Sequence, residues 1–248
     1  MTIPNRRAAI LGLAALPLAA AIRPALAATP DIVATSAGDL AIHPVRHASL
    51  ALSFGAETLY IDPAGGPALF EGLPPPTAIL ITHGHGDHFD IATLNAIAGD
   101  SAPILTSEEV LARLPGPLKP RATALANGAT GEIAGLPVEV VAAYNTTENR
   151  KRYHPEGVGN GYVIGFGDKR VYVAGDTEDT PEMRALTGID VAFLPMNLPY
   201  TMSIEQVASA VAAFRPGIVY PYHYQGGDPA GLAELVGDAA EVRLAAWY

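Results

Sequence analysis

The chain has no cysteine. Disulfide frameworks and thiolate metal ligands are therefore excluded, and with them every zinc site built on cysteine. Basic residues are scarce: 15 Lys and Arg stand against 25 Asp and Glu, a formal net charge of −10. Such a surface repels nucleic acid and anionic membranes. Long apolar runs are also missing. The apolar stretch Ala8 to Ile22 covers 15 residues and contains Pro17, whereas a membrane-spanning helix needs about 20. No internal repeat, low-complexity block or long polar linker divides the sequence, and Leu73-Pro74-Pro75-Pro76 reads as a short connector.

What the first residues do have is an export signature. Asn5-Arg6-Arg7 precedes the apolar stretch, and Ala25-Leu26-Ala27-Ala28 supplies a small-residue cleavage site. The adjacent arginines point to the twin-arginine route, which carries folded cargo to the periplasm. Cleavage after Ala27 leaves residues 28–248 as a single domain, with 12 basic against 25 acidic residues and a net charge of −13.

Three of the seven histidines fall in one window, Thr82-His83-Gly84-His85-Gly86-Asp87-His88. Alternate residues of an extended segment point the same way, so His83 and His85 can face one ion. The two glycines add no bulk and permit a sharp turn, after which Asp87 and His88 can face a second position. Imidazole with carboxylate suits zinc, manganese or iron.

The surrounding pattern places this window at a strand end. Asp39 to Val45, Ser49 to Phe54 and Glu57 to Ile61 read as strands within a β-rich run over 31–62, and Thr77 to Thr82 leads into the histidines. Asp90 caps a helix with Ile91, Leu94 and Ile97 at spacing three, closed by Gly99; Ser107 to Leu114 is a second short helix. Pro137 to Ala143, Gly161 to Phe166, Arg170 to Ala174, Asp190 to Leu194 and Gly217 to Tyr222 read as further strands. Ser203 to Phe214 and Ala230 to Val236 read as helices, and Val242 to Trp247 as a last strand. Strands passing twice into strand–helix units suggest stacked sheets with helices outside.

Two more potential ligands end strands. Tyr172-Val173-Ala174-Gly175-Asp176-Thr177 presents Asp176 after a glycine, and Ile218-Val219-Tyr220-Pro221-Tyr222 ends in His223. A carboxylate so placed has two oxygens that could join two metals.

Taken in order, His83-x-His85-x-Asp87-His88, Asp176 and His223 resemble the metallo-β-lactamase superfamily over nearly all of residues 28–248. The resemblance implies an α/β fold, a four-layer αββα sandwich with the site at the sheet edge. It implies one or two divalent metal ions, zinc first, with His83 and His85 on one ion, Asp87, His88 and His223 on the other, and Asp176 between. Leu59-Tyr60-Ile61-Asp62-Pro63 is similar to a family strand end whose aspartate supports the metal loop. The lactonase-like and phosphodiesterase-like branches are nearer than the antibiotic-degrading ones.

One position departs from the family pattern. Val140-Val141-Ala142-Ala143-Tyr144 ends in Asn145 where the family places another histidine on the first metal. His154 lies nine residues on and could swing in. The loop Thr146 to Gly161 also holds Arg150-Lys151-Arg152, a quarter of the basic residues after Ala27, which suggests a lid facing an anionic substrate.

These readings converge on a metal-dependent hydrolase that attacks an ester, lactone or phosphodiester with an activated water. Asp87 and His154 are the candidate catalytic groups. His47, Asn145, Arg150 and Tyr200 are the candidate substrate contacts, and His43 is structural or exposed. The partner expected is a small, anionic molecule. The alternative is an exported metal-binding or sensing protein on the same fold, in which Asn145 has removed catalysis. A redox di-iron role ranks below both, because such sites usually use extra carboxylates and none stands at Asn145.

Overall fold

A computed structural model describes Met1 and residues 29–248. The export signal expected over 1–27, Met1 aside, lies outside the described residues. Strands β1 (Asp31–Thr35), β2 (Gly38–Arg46), β3 (Ser49–Phe54) and β4 (Glu57–Ile61) form an antiparallel meander. Beyond β4 the pairing turns parallel, through β5 (Ala78–Leu80), β6 (Ile104–Thr106) and β7 (Ala122–Ala124). Helices α1 (Ile91–Ile97) and α2 (Glu108–Arg113) make the crossovers that parallel strands require.

The second half repeats the plan. Strands β8 (Thr130–Ile133), β9 (Leu136–Ala143), β10 (Gly159–Phe166) and β11 (Lys169–Val173) are antiparallel neighbours. Parallel strands β12 (Val191–Pro195), β13 (Ile218–Tyr222) and β14 (Glu241–Val242) follow. Helices α3 (Pro181–Arg184), α4 (Ile204–Phe214) and α5 (Leu232–Val236) connect them. Each half is thus one seven-stranded mixed sheet.

Three apolar clusters glue four layers. Leu50, Ile61, Tyr162, Phe166, Phe193 and Trp247 meet between the sheets. Ile79, Leu94 and Val110 join the first sheet to α1 and α2, while Ala192, Val207, Val211 and Phe214 join the second to α4. Fully burying a side chain such as Phe193 contributes about 1.5–3 kcal/mol. The layers are the αββα sandwich expected. No helix among the described residues is long and apolar enough to cross a membrane.

The helix starts follow their side chains. Asp90 accepts from the N–H groups of Ala92 and Thr93, and Ser203 with Gln206 closes a capping box on α4. The last strand is shorter than its apolar pattern suggests: pairing ends at Val242. Beyond it the chain leaves the sheet edge so that Trp247 can enter the core between the sheets, and the Trp247 carbonyl accepts from His47 N–H at 3.1 Å. Strands β6, β7 and β8 carry three or four residues each, too short for an alternation to show.

Candidate metal centre

The site lies where strands of both sheets end on one rim. Asp62 follows β4, Thr82 and His83 follow β5, Asp176 follows β11, and His223 follows β13. His47 occupies the β2–β3 turn, and His154 comes from the loop between β9 and β10. Open α/β sheets place ligands outside the carboxyl ends of their strands for this geometric reason.

Gly175 makes the approach of Asp176 feasible. Its φ is +66°, and a Cβ there would lie 2.9 Å from the Asn160 carbonyl oxygen and 3.0 Å from Thr82 Cβ. Only glycine accommodates both the left-handed backbone and that closeness.

Hydrogen bonds outside the cluster aim the histidines inward. Asp62 is buried and accepts from Thr82 N–H at 2.7 Å and Thr82 Oγ1–H at 2.7 Å. Its Oδ2 also stands 2.8 Å from His88 Nδ1, which points His88 Nε2 toward Asp176 Oδ1, 3.3 Å away. His83 Nδ1 lies 3.0 Å from Thr82 Oγ1, and His154 Nδ1 lies 3.1 Å from the Tyr200 carbonyl. With those nitrogens engaged, each Nε2 is left with a lone pair for the site.

The donor atoms form overlapping groups. His83, His85, His154 and Asp176 bring four within 4.8 Å of one another; His88, Asp176 and His223 form a second group, and His47, Asp87 and His223 a third. In the first, His83 Nε2 is 3.0 Å and His154 Nε2 3.2 Å from His85 Nδ1, and His154 Nε2 is 3.2 Å from Asp176 Oδ2. In the others, His223 Nε2 is 3.3 Å from Asp176 Oδ2 and 3.4 Å from Asp87 Oδ2.

Several of these atoms are buried with no hydrogen-bond partner: His88 Nε2, Asp176 Oδ1 and both ring nitrogens of His223. Orphaned buried polar atoms are costly, and here His88 Nε2, Asp176 and His223 Nε2 face one another in the second group. Divalent cations satisfy such a nitrogen and oxygen set, so the residues fit the metal that the fold implies.

The electrostatics agree. Burial and the neighbouring imidazoles hold His83 well below the ordinary histidine range, and burial with His154 lowers His85. Burial opposes ionisation of Asp176, but His223 and His88 outweigh it and keep the carboxyl well below the carboxylate range. Asp87 is likewise lowered, against burial, by the His223 and His47 rings beside it. His88 alone runs the other way: Asp176 and Asp62 overcome the burial cost of its charge and raise it well above its usual value, so an ion there must displace a proton from Nε2.

Of the other residues singled out in the sequence, Asn145 and Arg150 turn away from the site, while Arg152 and Tyr200 border it. Asn145 is buried, and its amide donates to the carbonyls of Arg150 at 3.1 Å and Tyr200 at 2.7 Å. It holds the loop, and His154 stands in the cluster instead. Arg150 turns inward to Glu178, 2.8 Å away, and donates to the Thr201 carbonyl. Lys151 pairs with Glu148 in solvent. Arg152 alone of the three lines a cavity of about 240 Å³ with His83, His85, His154 and Asp176. Tyr200, 45% exposed, stands on the rim with Tyr153, their rings edge to face at 5.0 Å.

Two supports escaped the sequence reading. Glu178 is a buried carboxylate accepting from Thr146 N–H at 2.7 Å and Thr147 N–H at 2.6 Å. Tyr248 places its hydroxyl 2.6 Å from His47 Nδ1 across 201 positions of sequence. Neither has a periodic or motif signal; only burial and contact reveal them.

Two packed mixed sheets with this cluster at their strand ends define a metallo-β-lactamase-type metal-dependent hydrolase. A family model described as the beta-lactamase superfamily domain matches residues 56–224. The UPF0173 metal-dependent hydrolase of Pyrococcus horikoshii is 33% identical over 203 residues, 76% of this chain and 88% of its own length. That of Deinococcus radiodurans is 30% identical over 218 residues, 82% of this chain and 90% of its own length. The crystal structure of a metal-dependent hydrolase from Parabacteroides distasonis superposes with a TM-score of 0.81 at 39% identity, covering 87% of this chain and 97% of that one. The chain belongs to the beta-lactamase superfamily and, within it, to the UPF0173 metal-dependent hydrolases.

Proposed function

We propose that the protein hydrolyses a small anionic ester, with lactones and phosphodiesters inside that class, using divalent metal held by His83, His85, His154 and Asp176 and, beside them, by Asp87, His88 and His223. The observation that carries this reading is the set of otherwise unpartnered buried atoms on His88, Asp176 and His223, beside a cavity that Asp176 and His223 line. Ions bound there supply Lewis acidity, activating water near neutral pH and polarising a carbonyl or phosphoryl oxygen.

The chain's own residues then divide the work. Asp62, Thr82 and the Tyr200 carbonyl fix ring orientation. His154 Nε2 lies 3.2 Å from both His85 Nδ1 and Asp176 Oδ2, which supports it as the fourth donor where Asn145 stands aside. Asp87, 48% exposed, lines the open cavity of about 370 Å³ together with Tyr153, Tyr200, Asn197 and Gln225. Its Oδ2 is held by two histidines, which fits a ligand better than a free base. Arg152 supports the anionic class: it lines the neighbouring cavity with its guanidinium over the Tyr153 ring, and arginine matches carboxylate and phosphate oxygens. An exported, periplasmic setting and zinc as the ion complete the reading.

The test is hydrolysis of a lactone panel and a phosphodiester panel by zinc-, manganese- and iron-loaded protein, with the His85→Ala/Asp87→Ala double variant alongside. Loss of at least about 100-fold in kcat/KM in the double variant is expected, since a missing metal ligand removes the activated water. Equal rates in the two proteins would overturn the reading.

A further inference from the structure

Resting on that reading, we infer that His47 is itself a ligand of the second metal ion, binding through Nε2, with the Tyr248 hydroxyl as the outer partner that sets its tautomer. The family resemblance gives His47 no metal; the geometry does. His47, Asp87 and His223 offer three donor atoms within 4.8 Å of one another. His47 Nε2 lies 3.1 Å and His223 Nε2 3.4 Å from Asp87 Oδ2. Donors about 2.1 Å from one ion, at angles between octahedral and tetrahedral, stand roughly 3.0–3.4 Å apart. The His83, His85 and His154 nitrogens show the same spacing around the first position.

The other face of the ring is organised for the same role. Ligating histidines nearly always donate their second ring N–H to an oxygen, which fixes the tautomer and raises ligand basicity. Tyr248 Oη stands 2.6 Å from His47 Nδ1 and can accept that proton, leaving the Nε2 lone pair free. The Nε2 edge looks onto the cavity that Asp87, His223 and Gln225 also line, so an ion can reach it from solvent.

The backbone holds the group at a cost. His47 and His223 are both non-glycine residues in the left-handed region, φ +57° and +48°. His223 N–H donates to the His47 carbonyl at 3.0 Å, so the two rings, with centroids 3.8 Å apart, are positioned as a unit. Strain of this kind persists where surrounding structure over-determines it, commonly at functional sites. The second ion thus has an outer station, His47–Asp87–His223, that shares His223 with the inner one, His88–Asp176–His223.

The experiment is zinc titration of the apo-protein by competition with a chromophoric chelator, for wild type, His47→Asn and Tyr248→Phe. Asparagine tolerates the left-handed turn, so the first variant keeps the backbone, and circular dichroism melts verify the fold. Wild type should bind two equivalents. His47→Asn should bind the first unchanged and the second at least about tenfold more weakly, and Tyr248→Phe should weaken the second by a smaller factor. Cobalt-substituted wild type should show a paramagnetically shifted His47 ring N–H that Tyr248→Phe displaces. Wild-type affinity for both equivalents in His47→Asn would overturn the inference. So would a single equivalent in wild type, and either result leaves a hydrolase with the remaining ligands standing.

Discussion

Asp62 Oδ2 and His88 Nδ1 lie 2.8 Å apart, and neither side chain has any exposure to solvent. The aspartate sits at φ +47° and also takes both Thr82 hydrogen bonds. One carboxylate therefore orients His88 directly and His83 through the Thr82 hydroxyl. Asp62→Asn places an amide among donors it cannot accept from equally. Metal affinity should fall by about 10–100-fold, as for outer partners of ligating histidines generally. Chelator competition measures this, and an unchanged affinity would mean that packing alone holds the ring.

Gly175→Ala tests the approach of Asp176. The new methyl would meet the Asn160 carbonyl oxygen and Thr82 Cβ, on a backbone with φ +66°. Backbone cannot step aside as a flexible side chain can. A loss of about 1–3 kcal/mol is expected from the strained conformation, accompanied by a lower metal content. Urea unfolding and elemental analysis check the two halves. A variant as stable and as fully loaded as wild type would show that the loop between β11 and α3 relaxes freely.

The metal window was legible because its chemistry is compressed into six residues, and Asp176 and His223 because each ends an apolar strand. The layering was legible because strands and helices keep distinct periods. Boundaries failed where pairing is short, as in β14, where the pull of Trp247 into the core ends the strand early. The role of Arg150 was not legible: a basic run looks alike whether it faces solvent, a substrate or a buried Glu178. Nor was it legible that Asn145 braces the loop while His154 joins the donor cluster, since a loop's path decides it and no local pattern encodes that path.

Stability should depend on pH through Asp31. Partial burial opposes its ionisation, but hydrogen bonds from Tyr220 and Arg243 hold its pKa below the usual value. A depressed folded pKa means stabilisation present above the unfolded value of about 3.9 and lost as pH falls through the lowered one. The carboxylate is 39% exposed, so solvent screening keeps the effect to about 0.2–1 kcal/mol. Asp31→Asn should therefore melt below wild type at neutral pH, with the gap closing toward acid. A gap that stays constant from pH 7 to pH 3 would remove the charge from the explanation.

Asn145 separates two accounts of one residue. As a substrate contact it would act on binding alone, and Asn145→Ala would raise KM with kcat unchanged. The structure has it bracing the loop: its amide spans Arg150 and Tyr200, and its own N–H donates to the His154 carbonyl at 2.8 Å. The Tyr200 carbonyl it grips is the same one that orients His154 Nδ1. Removing the amide takes one donor from each of two part-buried carbonyls that keep another partner, a cost of about 0.5–1.5 kcal/mol each, and loosens the histidine they position. Metal affinity and kcat should then fall together while KM for a small substrate moves little. Glu178→Gln, which weakens the same loop from its Thr146–Thr147 side, should reproduce that pattern without touching Asn145. A KM effect confined to Asn145→Ala would return the residue to the substrate. Parallel losses of kcat and metal in both variants would make the loop the device that supplies the first ion with its fourth donor.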